Sequence, residues 1–317
     1  MPRELVTGFV RSCQGGGSGG GGAPAAASGG GTAGGSTAGG GTTTGGGGTT
    51  GGGGTTGGGG TAAQRTGTIR VLTYNVAGLP DFLSQSNPRR NTPLISPLLN
   101  AYELVLAQED FWYHQSLVQH VQHPFLSVPA SGQSNLMHDG LAMLSFMAFT
   151  PVERHKWQQC YGTWDNANDC LADKGFTFSR MTVAPGVEID VYNHHADAGG
   201  GYNNNFTRQQ QFSQMQAYML TVSAGRAVLL AGDTNMKHKN PEELAVLTGF
   251  QSATGLEDAS KVLPNTTDKI DRVFFRSGGG VTLRPILWRI ADEFVDSSGN
   301  DLSDHVGINV DIEWIAP

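Results

Sequence analysis

The stretch Ala231-Gly-Asp-Thr-Asn235 follows directly on an apolar segment that runs from Ala227 to Ala231. A short apolar run that ends at a glycine is typical of a buried β-strand. Polar side chains at such a strand end lie at the edge of a sheet, where binding and catalytic residues are often found. Asp233 and Asn235 are therefore the first candidate site residues.

Strands of this kind recur along the chain. The predicted strands cover residues 68–75, 103–109, 141–146, 176–183, 187–193, 227–231, 269–275, 281–290 and 306–314. Helices are predicted at residues 111–121, from the capping box Thr207-Arg-Gln-Gln210 to Val222, and from the cap and proline of Asn240-Pro-Glu-Glu243. Many strands with few helices predict an α+β fold in which two sheets pack together and helices cover their outer faces.

Polar side chains recur where the predicted strands end. They are Asn75, Gln108-Glu109, His194-His195, Asp233, Asn235, Asp271 and Asp304-His305. Carboxylate and amide oxygens suit Mg²⁺ or Ca²⁺, and histidine is the side chain that titrates near neutral pH. A single strand-end aspartate or histidine is more often a hydrogen-bonded turn residue, so only the set as a whole indicates a site.

The order of these residues resembles that of a known family. The segments that carry the resemblance are residues 73–80, 107–110, 140–145, 191–195, 231–235, 270–273 and 303–305. This succession resembles the endonuclease/exonuclease/phosphatase superfamily, whose members are DNase I-like, and the resemblance spans residues 67–317. It implies a four-layer sandwich of two packed mixed β-sheets flanked by helices.

One segment is similar to the secreted bacterial sphingomyelinases in particular. It is Asp169-Cys-Leu-Ala-Asp-Lys-Gly-Phe176, and Arg208 with Gln211 further along the chain resembles them too. Three places depart from the superfamily pattern. His194 stands where a threonine is usual, Ala196 where an aliphatic residue is usual, and Val306-Gly-Ile308 where Tyr-Pro is common. Since one fold supports several substrates, the resemblance leaves phospholipid, DNA and inositol phosphate open.

The resemblance implies a divalent-metal site. Glu109 would be the main ligand, with Asn75 beside it as a ligand or orienting amide and Asp304 as a further carboxylate. Mg²⁺ is the expected ion, with Ca²⁺ and Mn²⁺ as alternatives. It would neutralise phosphate charge while water attacks phosphorus in line with the leaving group.

The resemblance also implies the residues that move protons and hold the phosphate. His305 would be the general base, and Asp271 would fix its tautomer and support the imidazolium. Asp233 and Asn235 would orient the water and contact the phosphate, and His195 would help the leaving oxygen depart. The expected reaction is the hydrolysis of a phosphodiester.

The charge of the chain bears on the substrate. Its formal net charge is −7, and no cluster of lysine and arginine is present, whereas a nucleic-acid binder normally has a basic face. A sphingomyelinase-like enzyme acting on a phospholipid head group is expected, with a DNase I-like nuclease and an inactive surface-displayed binding module as alternatives.

Trp288 and Phe294 allow two interpretations. They could form an exposed hairpin that makes peripheral membrane contact, or they could pack in the core.

Residues 1–66 differ in kind from the rest of the chain. Glycine supplies 47 of the 317 residues, and a Gly/Thr/Ser/Ala-rich stretch from residue 15 to residue 60 has no apolar surface to bury, which predicts a disordered tether. Residues 5–10 resemble the end of a lipoprotein signal, with Cys13 as the lipid-anchored residue. Arg11 does not fit such a signal. A misassigned start codon or a coincidence would explain the pattern equally. A secreted or otherwise extracytoplasmic monomer is expected.

Cys160 and Cys170 lie ten positions apart in a polar segment. In an extracytoplasmic protein this spacing predicts a disulfide that closes a small surface loop, and two unpaired thiols are the alternative. A zinc site is not expected, because no second Cys/His pair of matching spacing is present in the sequence.

Overall fold

The computed structural model describes residues 64–317 except 82–83, 85, 131–136 and 163–168. Most of the predicted tether, residues 1–63, lies outside the described residues. The first strand begins at Arg65, three residues before the predicted start at Thr68.

The described residues form twelve β-strands and five α-helices. The strands are β1 (Arg65–Asn75), β2 (Leu104–Gln108), β3 (Phe125–Leu126), β4 (Ala142–Ser145), β5 (Glu153–Lys156), β6 (Gly175–Ala184), β7 (Val187–His195), β8 (Val228–Asp233), β9 (Glu257–Asp258), β10 (Asp271–Arg276), β11 (Thr282–Ala291) and β12 (Gly307–Ala316). The helices are α1 (Pro88–Leu98), α2 (His114–Val118), α3 (Tyr202–Val222), α4 (Pro241–Thr254) and α5 (Ala259–Val262).

These strands form two six-stranded sheets. The first sheet has the order β11-β12-β1-β2-β4-β3, and the second has the order β5-β6-β7-β8-β10-β9. Each sheet contains one parallel pair, β1 with β2 and β7 with β8, among antiparallel pairs. Both sheets are therefore mixed, as the resemblance implied.

Three apolar clusters separate four layers. The central cluster lies between the sheets and includes Leu106 of β2 and Val191 of β7. A second cluster packs Ile95 of α1 against the outer face of the first sheet, and a third packs Phe212 of α3 and Leu247 of α4 against the second sheet. Burying each such side chain stabilises the fold by roughly 1.5–3 kcal/mol. The layers are helices, sheet, sheet and helices, which confirms the predicted four-layer sandwich.

The start of α3 differs from the prediction. The helix begins at Tyr202, directly after Gly201, and Thr207 of the proposed capping box is buried inside it. The asparagines at 203–205 have low helix propensity and concealed the true start. The start of α4 is as predicted, because Asn240 Oδ1 accepts a hydrogen bond from the Glu242 amide at 3.1 Å.

A pair of buried amides crosses the central core beneath the ends of β2 and β7. Gln108 Nε2 donates to Asn193 Oδ1 at 2.8 Å, and Asn193 Nδ2 donates to the carbonyl oxygens of Ala107 at 2.8 Å and Ala142 at 3.1 Å. Leaving such a buried group without its partner costs about 1–3 kcal/mol. These hydrogen bonds therefore hold the first sheet in one position against the second.

The membrane-contacting hairpin considered at Trp288 and Phe294 is wrong. Phe294 is 4% exposed, and its ring centroid lies 4.5 Å from that of Tyr74 and 6.2 Å from that of Tyr102. Trp288 is half-buried against the central cluster. Both rings are used for packing. Among the described residues, no helix combines the length and hydropathy needed to cross a bilayer.

The predicted disulfide between Cys160 and Cys170 is present, with its Cα atoms 5.3 Å apart. Cys170 is the middle residue of the 3₁₀ turn Asp169–Leu171, which precedes β6. A cross-link over a short loop stabilises a protein mainly by restricting the unfolded chain.

Replacing both Cys160 and Cys170 by serine is expected to lower the free energy of unfolding by roughly 2–3 kcal/mol, because the unfolded chain regains the freedom that the loop closure removes. Urea denaturation of protein produced under oxidising conditions measures the change. Cys13→Ser is the matched control and should leave the midpoint unchanged. Equal midpoints for all three proteins would mean that the bridge adds nothing to stability.

Candidate active site

Asn75 and Glu109 come together because β1 and β2 are parallel neighbours. Asn75 ends β1 and pairs with Gln108, so Glu109 is the next residue beyond the pair. Asn75 Oδ1 accepts from the amide of Ala77 at 3.0 Å, which fixes the side chain. Asn75 Nδ2 then points at Glu109 Oε1, 3.0 Å away. This geometry favours the role of an orienting amide for Asn75.

The second sheet supplies three residues by the same rule. His195 and Asp233 end the parallel strands β7 and β8 and pair with each other, while Asp271 begins β10 opposite Asp233. The close approach of these strands requires Gly232, because a Cβ there would lie 2.0 Å from the carbonyl oxygen of His194. Gly232 therefore allows the strands to approach closely enough to bring Asp233 to the sheet edge.

The two sheets meet at Asp233. Asn75 Nδ2 also donates to Asp233 Oδ2 at 3.4 Å, so one amide lies between the carboxylates of Glu109 and Asp233. Burial raises the pKa of Glu109. Burial and the charge of Asp271 raise the pKa of Asp233 to about 6. Two carboxylates that converge in this way are at a site that favours added positive charge.

Two of the candidate site residues have a positive φ, a backbone conformation that residues other than glycine rarely adopt. Glu109 has a φ of 58° and Asn235 a φ of 51°. Such conformations cost of order 1–3 kcal/mol each and concentrate at functional sites. The turn at Glu109 is held by hydrogen bonds from the amides of Gly78 and Phe111 to its carbonyl oxygen. Both candidate residues therefore lie on strained turns whose geometry is fixed by their neighbours.

His305 and Asp271 form a hydrogen-bonded pair. His305 Nδ1 lies 2.9 Å from Asp271 Oδ2, and His305 Nε2 lies 3.8 Å from Asp233 Oδ2. Burial lowers the pKa of His305, but the hydrogen bond and charge of Asp271, together with Asp233 and Asp304, outweigh burial and raise it to about 10. Nδ1 is therefore bonded to the carboxylate, and Nε2 faces the site.

The loop before β12 carries His305 to the first sheet. Ser303 Oγ donates to the carbonyl oxygen of Asn75 at 2.7 Å and accepts from the His305 amide at 3.1 Å. Asp304 is exposed, and its Oδ1 lies 3.4 Å from Ser303 Oγ. None of the hydrogen bonds or ion pairs found among the described residues joins Asp304 to Glu109 or Asn75. The structure thus places Asp304 at the rim of the site.

His195 lies on the opposite side of Asp233 from Asp271. Its Nε2 is 3.5 Å from Asp233 Oδ2 and 3.9 Å from Glu109 Oε1. Burial, and then the charge of Lys174, lower its pKa well below the ordinary value. His195 is therefore a neutral imidazole between two carboxylates.

Lys174 lies among the candidate site residues, although sequence reasoning assigned it no role. Its buried ammonium donates to Asp169 Oδ1 at 2.5 Å and to His195 Nε2 at 3.1 Å. Since an ammonium only donates, His195 Nε2 accepts and Nδ1 carries the proton. Lys174 and Asp169 belong to the segment that resembles bacterial sphingomyelinases, and that resemblance was the one available signal.

Asn235 is hydrogen-bonded to Asp233 and to the loop after β7. Asn235 Nδ2 donates to the carbonyl oxygen of Ala196 at 3.0 Å, and its backbone amide donates to Asp233 Oδ1 at 2.8 Å. In this arrangement Asn235 holds the Asp233 turn and the loop after β7 together. Its contact with a phosphate stays a prediction.

His194 faces the helix layer and not the site. Alternation along β7 separates it from His195, and its Nδ1 lies 3.1 Å from the carbonyl oxygen of Ala231. Its ring meets Phe212 of α3 edge to face, with centroids 5.5 Å apart. Burial lowers the pKa of His194 to about 4.

His194 is expected to make the protein less stable as the pH falls from about 6.5 to about 4. The unfolded state binds a proton in this window and the folded state does not, so acid favours unfolding by on the order of 3 kcal/mol at the lower end. In His194→Gln the free energy of unfolding should depend on pH less steeply across this window. Urea melts at several pH values, with the exposed His120→Gln as control, measure the slopes; parallel slopes for wild type and His194→Gln would refute the assignment.

The donor set of this site fits a divalent cation. The ligand atoms of Asp233, Asp271 and His305 lie within 4.8 Å of one another. His305 Nδ1 and Asp271 Oδ2 already bond to each other, however, whereas the Glu109 side chain is 18% exposed and turned into the cleft. A hard cation prefers carboxylate oxygens. Glu109 with Asp233 therefore offers the better oxygen site, and His305 with Asp271 offers an acid–base pair.

Known proteins share sequence and fold with this chain. The family described as Endonuclease/Exonuclease/phosphatase matches residues 72–305. A sphingomyelinase of Mycobacterium tuberculosis is 34% identical over 274 positions, which cover 79% of this chain and 54% of that protein. The chain thus spans about half the length of the curated relatives it matches.

Solved structures show the same fold. A beta toxin mutant from Staphylococcus aureus with bound magnesium ions matches with a TM-score of 0.58 and 15% identity, over 77% of this chain and 99% of that one. D. rerio TDP2 complexed with a single-strand DNA product matches with a TM-score of 0.59 and 18% identity, over 77% and 98%. At these identities the likeness extends to the fold alone.

Proposed function

Since this chain belongs to the endonuclease/exonuclease/phosphatase family, we propose that it is a metal-dependent phosphodiesterase of the sphingomyelinase type. The observation that carries the proposal is the meeting of two groups at Asp233: the Asn75–Glu109 pair of the first sheet and the His305–Asp271 pair. Hydrolysis of a phosphodiester needs positive charge near the phosphate and a base near the water. Glu109 and Asp233 would hold the positive charge, and His305 would be the base.

We infer that Mg²⁺ is the resident cation, with Ca²⁺ and Mn²⁺ as alternatives. Glu109 and Asp233 would hold it, and Asn75 would keep the two carboxylates in place through its Nδ2. A bound divalent cation neutralises phosphate charge and orients a phosphoryl oxygen. The magnesium in the Staphylococcus aureus beta toxin mutant supports this choice of ion.

The proposed proton transfers use the two histidines. His305 Nε2 would take the proton of the attacking water, while Asp271 holds Nδ1–H and stabilises the imidazolium that forms. His195, with the Lys174 ammonium on its Nε2, would bring positive potential toward the leaving oxygen. Asn235 would keep the Asp233 turn in position.

We propose that the substrate is a phospholipid with a phosphodiester head group, as in the sphingomyelinases that resemble this chain. The net charge of −7 and the absence of a basic sequence cluster disfavour a nuclease that binds DNA through its backbone. A nuclease remains the second candidate, since a DNA-bound structure shares the fold. An inactive binding module is disfavoured, because such a module has no need of the complete set of Glu109, Asp233, Asp271 and His305.

An extracytoplasmic location and a monomeric state are proposed for the same protein. The disulfide supports an oxidising compartment. Attachment through Cys13 and a tether of residues 1–66 would leave the catalytic domain at a surface, where a lipid substrate is found.

An assay of four substrates tests the proposal: sphingomyelin vesicles, plasmid DNA, a phosphoinositide and bis(p-nitrophenyl) phosphate, each with Mg²⁺ and with EDTA. Sphingomyelin should be cleaved in Mg²⁺ and not in EDTA. Protein carrying Glu109→Gln, prepared in parallel, excludes a contaminating activity. Faster cleavage of DNA than of sphingomyelin would overturn the substrate, and no cleavage of any of the four would overturn the enzyme.

A further inference from the structure

A groove on the outer helix layer lies apart from the catalytic residues. It has a volume of about 300 Å³ and runs between α3 and α4. Its walls are Tyr202, Phe206 and Gln209 on α3 and Glu242, Ala245 and Val246 on α4. Positions 202, 206 and 209 share one face of a helix, as do 242, 245 and 246, so each helix presents one stripe to the groove.

Two aromatic rings stand open to solvent in this groove. Tyr202 is 76% exposed and Phe206 is 45% exposed. Their planes are nearly parallel, at 16°, with centroids 6.4 Å apart. Rings this exposed leave ring surface available to a ligand.

The groove carries the negative charge of Glu242, and none of its lining residues is a cation. Glu242 is exposed, and its Oε2 accepts a hydrogen bond from Asn205 at 2.7 Å. None of the ion pairs of the described residues includes Glu242, and no lysine or arginine is among the residues that line the groove. A carboxylate beside two ring faces attracts a cation.

A trimethylammonium group matches this combination better than a lysine ammonium does. Its methyl groups suit Ala245, Val246 and the two rings, whereas an ammonium is compact and strongly hydrated. Aromatic side chains recognise quaternary ammonium ligands through the charge distribution of their ring faces. The carboxylate of Glu242 adds long-range attraction for the same group.

The groove is lined by the N-terminal halves of α3 and α4, which begin shortly after strands that end at the candidate active site. The parallel strands β7 and β8 end together at His195 and Asp233, and the chain enters α3 and α4 shortly after them. A bilayer that presents a head group to the active site therefore meets the starts of both helices. Tyrosine rings are favoured at such an interface, because one end is apolar and the other is polar.

We propose that Tyr202, Phe206 and Glu242 form a binding site for the trimethylammonium of a choline lipid, which docks the protein on a bilayer. The choice of a lipid as the source of this group rests on the proposed function, since that function brings this face to a membrane. The docked head group is not the one that is cleaved, because it lies on the helix layer outside the cleft.

Binding of the full chain to phosphatidylcholine vesicles in EDTA tests the site without turnover. Replacing Tyr202 and Phe206 together by alanine should raise the Kd on the order of tenfold, the loss expected for two ring contacts with a cation. Glu242→Gln, which keeps the acceptor for Asn205, should raise it by a smaller factor. Leu220→Ala, a 46% exposed residue at the far end of α3, is the matched control and should change nothing. The Tm of each variant confirms that it is folded.

Two further arms identify the head group. Tetramethylammonium chloride should displace the wild-type protein from vesicles more strongly than sodium chloride at equal ionic strength. Vesicles with half of their phosphatidylcholine replaced by phosphatidylethanolamine should bind the wild type more weakly and the double variant unchanged. An unchanged Kd in the double variant would overturn the proposal. It would also be overturned if the double variant lost the same affinity for both kinds of vesicle, or if the protein bound tetramethylammonium but no vesicles. Choline-dependent binding by a protein that cleaves none of the four substrates would overturn the proposed function alone.

Discussion

Replacing Glu109 by glutamine is expected to lower kcat/KM by about three orders of magnitude, because several kcal/mol of charge stabilisation depend on the cation that this carboxylate would hold. The free energy of unfolding should change by no more than about 1 kcal/mol, since the replaced group lies at a strand end and outside the packed core. Burial raises the pKa of Glu109, so a neutral amide is tolerated in the same place.

Kinetics and melting curves on the same preparation measure both effects. Mg²⁺ should raise the Tm of the wild type and not that of Glu109→Gln, because an ion that binds only the folded state stabilises it. Glu103→Gln is the matched control: Glu103 precedes the same strand and pairs with Arg70 at the surface, away from the cleft. Full activity of Glu109→Gln, or of the wild type in EDTA, would refute the role assigned to Glu109.

Substitutions at His305 and Asp271 are expected to have the second-largest effect. His305→Ala should remove most of the rate together with its rise with pH, because no other group would accept the proton of the water. Asp271→Asn should lower kcat more than KM, since the imidazolium that Asp271 stabilises forms only as the water attacks.

The direction of the pH shift follows from the pKa of His305. The carboxylate of Asp271 contributes to raising that pKa to about 10, and a bound cation would lower it again by adding positive charge. The rate requires the neutral imidazole, so it rises with pH through this pKa. Without the charge of Asp271 the pKa falls, and the rising limb of the profile should move to lower pH. If Asp271 only closes a strand end, the variant will lose stability and keep both its rate per folded molecule and its pH profile.

The sequence was most informative where strand ends carry the chemistry. Strand pairing brings Asn75 and Glu109 together at the edge of the first sheet, and His195, Asp233 and Asp271 together at the edge of the second. The packing of the two sheets then brings the two sets together at Asp233. Local pattern alone gave two sheets with helices outside. The sandwich and the roles of the residues came from the resemblance.

The remaining features depend on tertiary contacts that local sequence does not encode. Helix α1 contains Pro93 and Pro97, which argue against a helix, but Ile95 packs in the outer cluster and compensates. Local sequence does not distinguish Lys174 from a surface lysine. The fold shows that its ammonium is hydrogen-bonded to Asp169 and His195. The exposed pair Tyr202 and Phe206 was hidden for a similar reason, since α3 was predicted to begin after both.

The two amides that cross the core, Gln108 and Asn193, have a consequence for how this site evolves. Each lies within two residues of a candidate site residue, yet both are buried and neither is exposed to a substrate. Sliding one sheet by a single residue would displace its strand ends by about 3.3 Å and break their mutual hydrogen bonds. Substitution at either position is therefore expected to disturb how the two sheets are aligned, and a relative with altered chemistry would be expected to change its loops while keeping both amides.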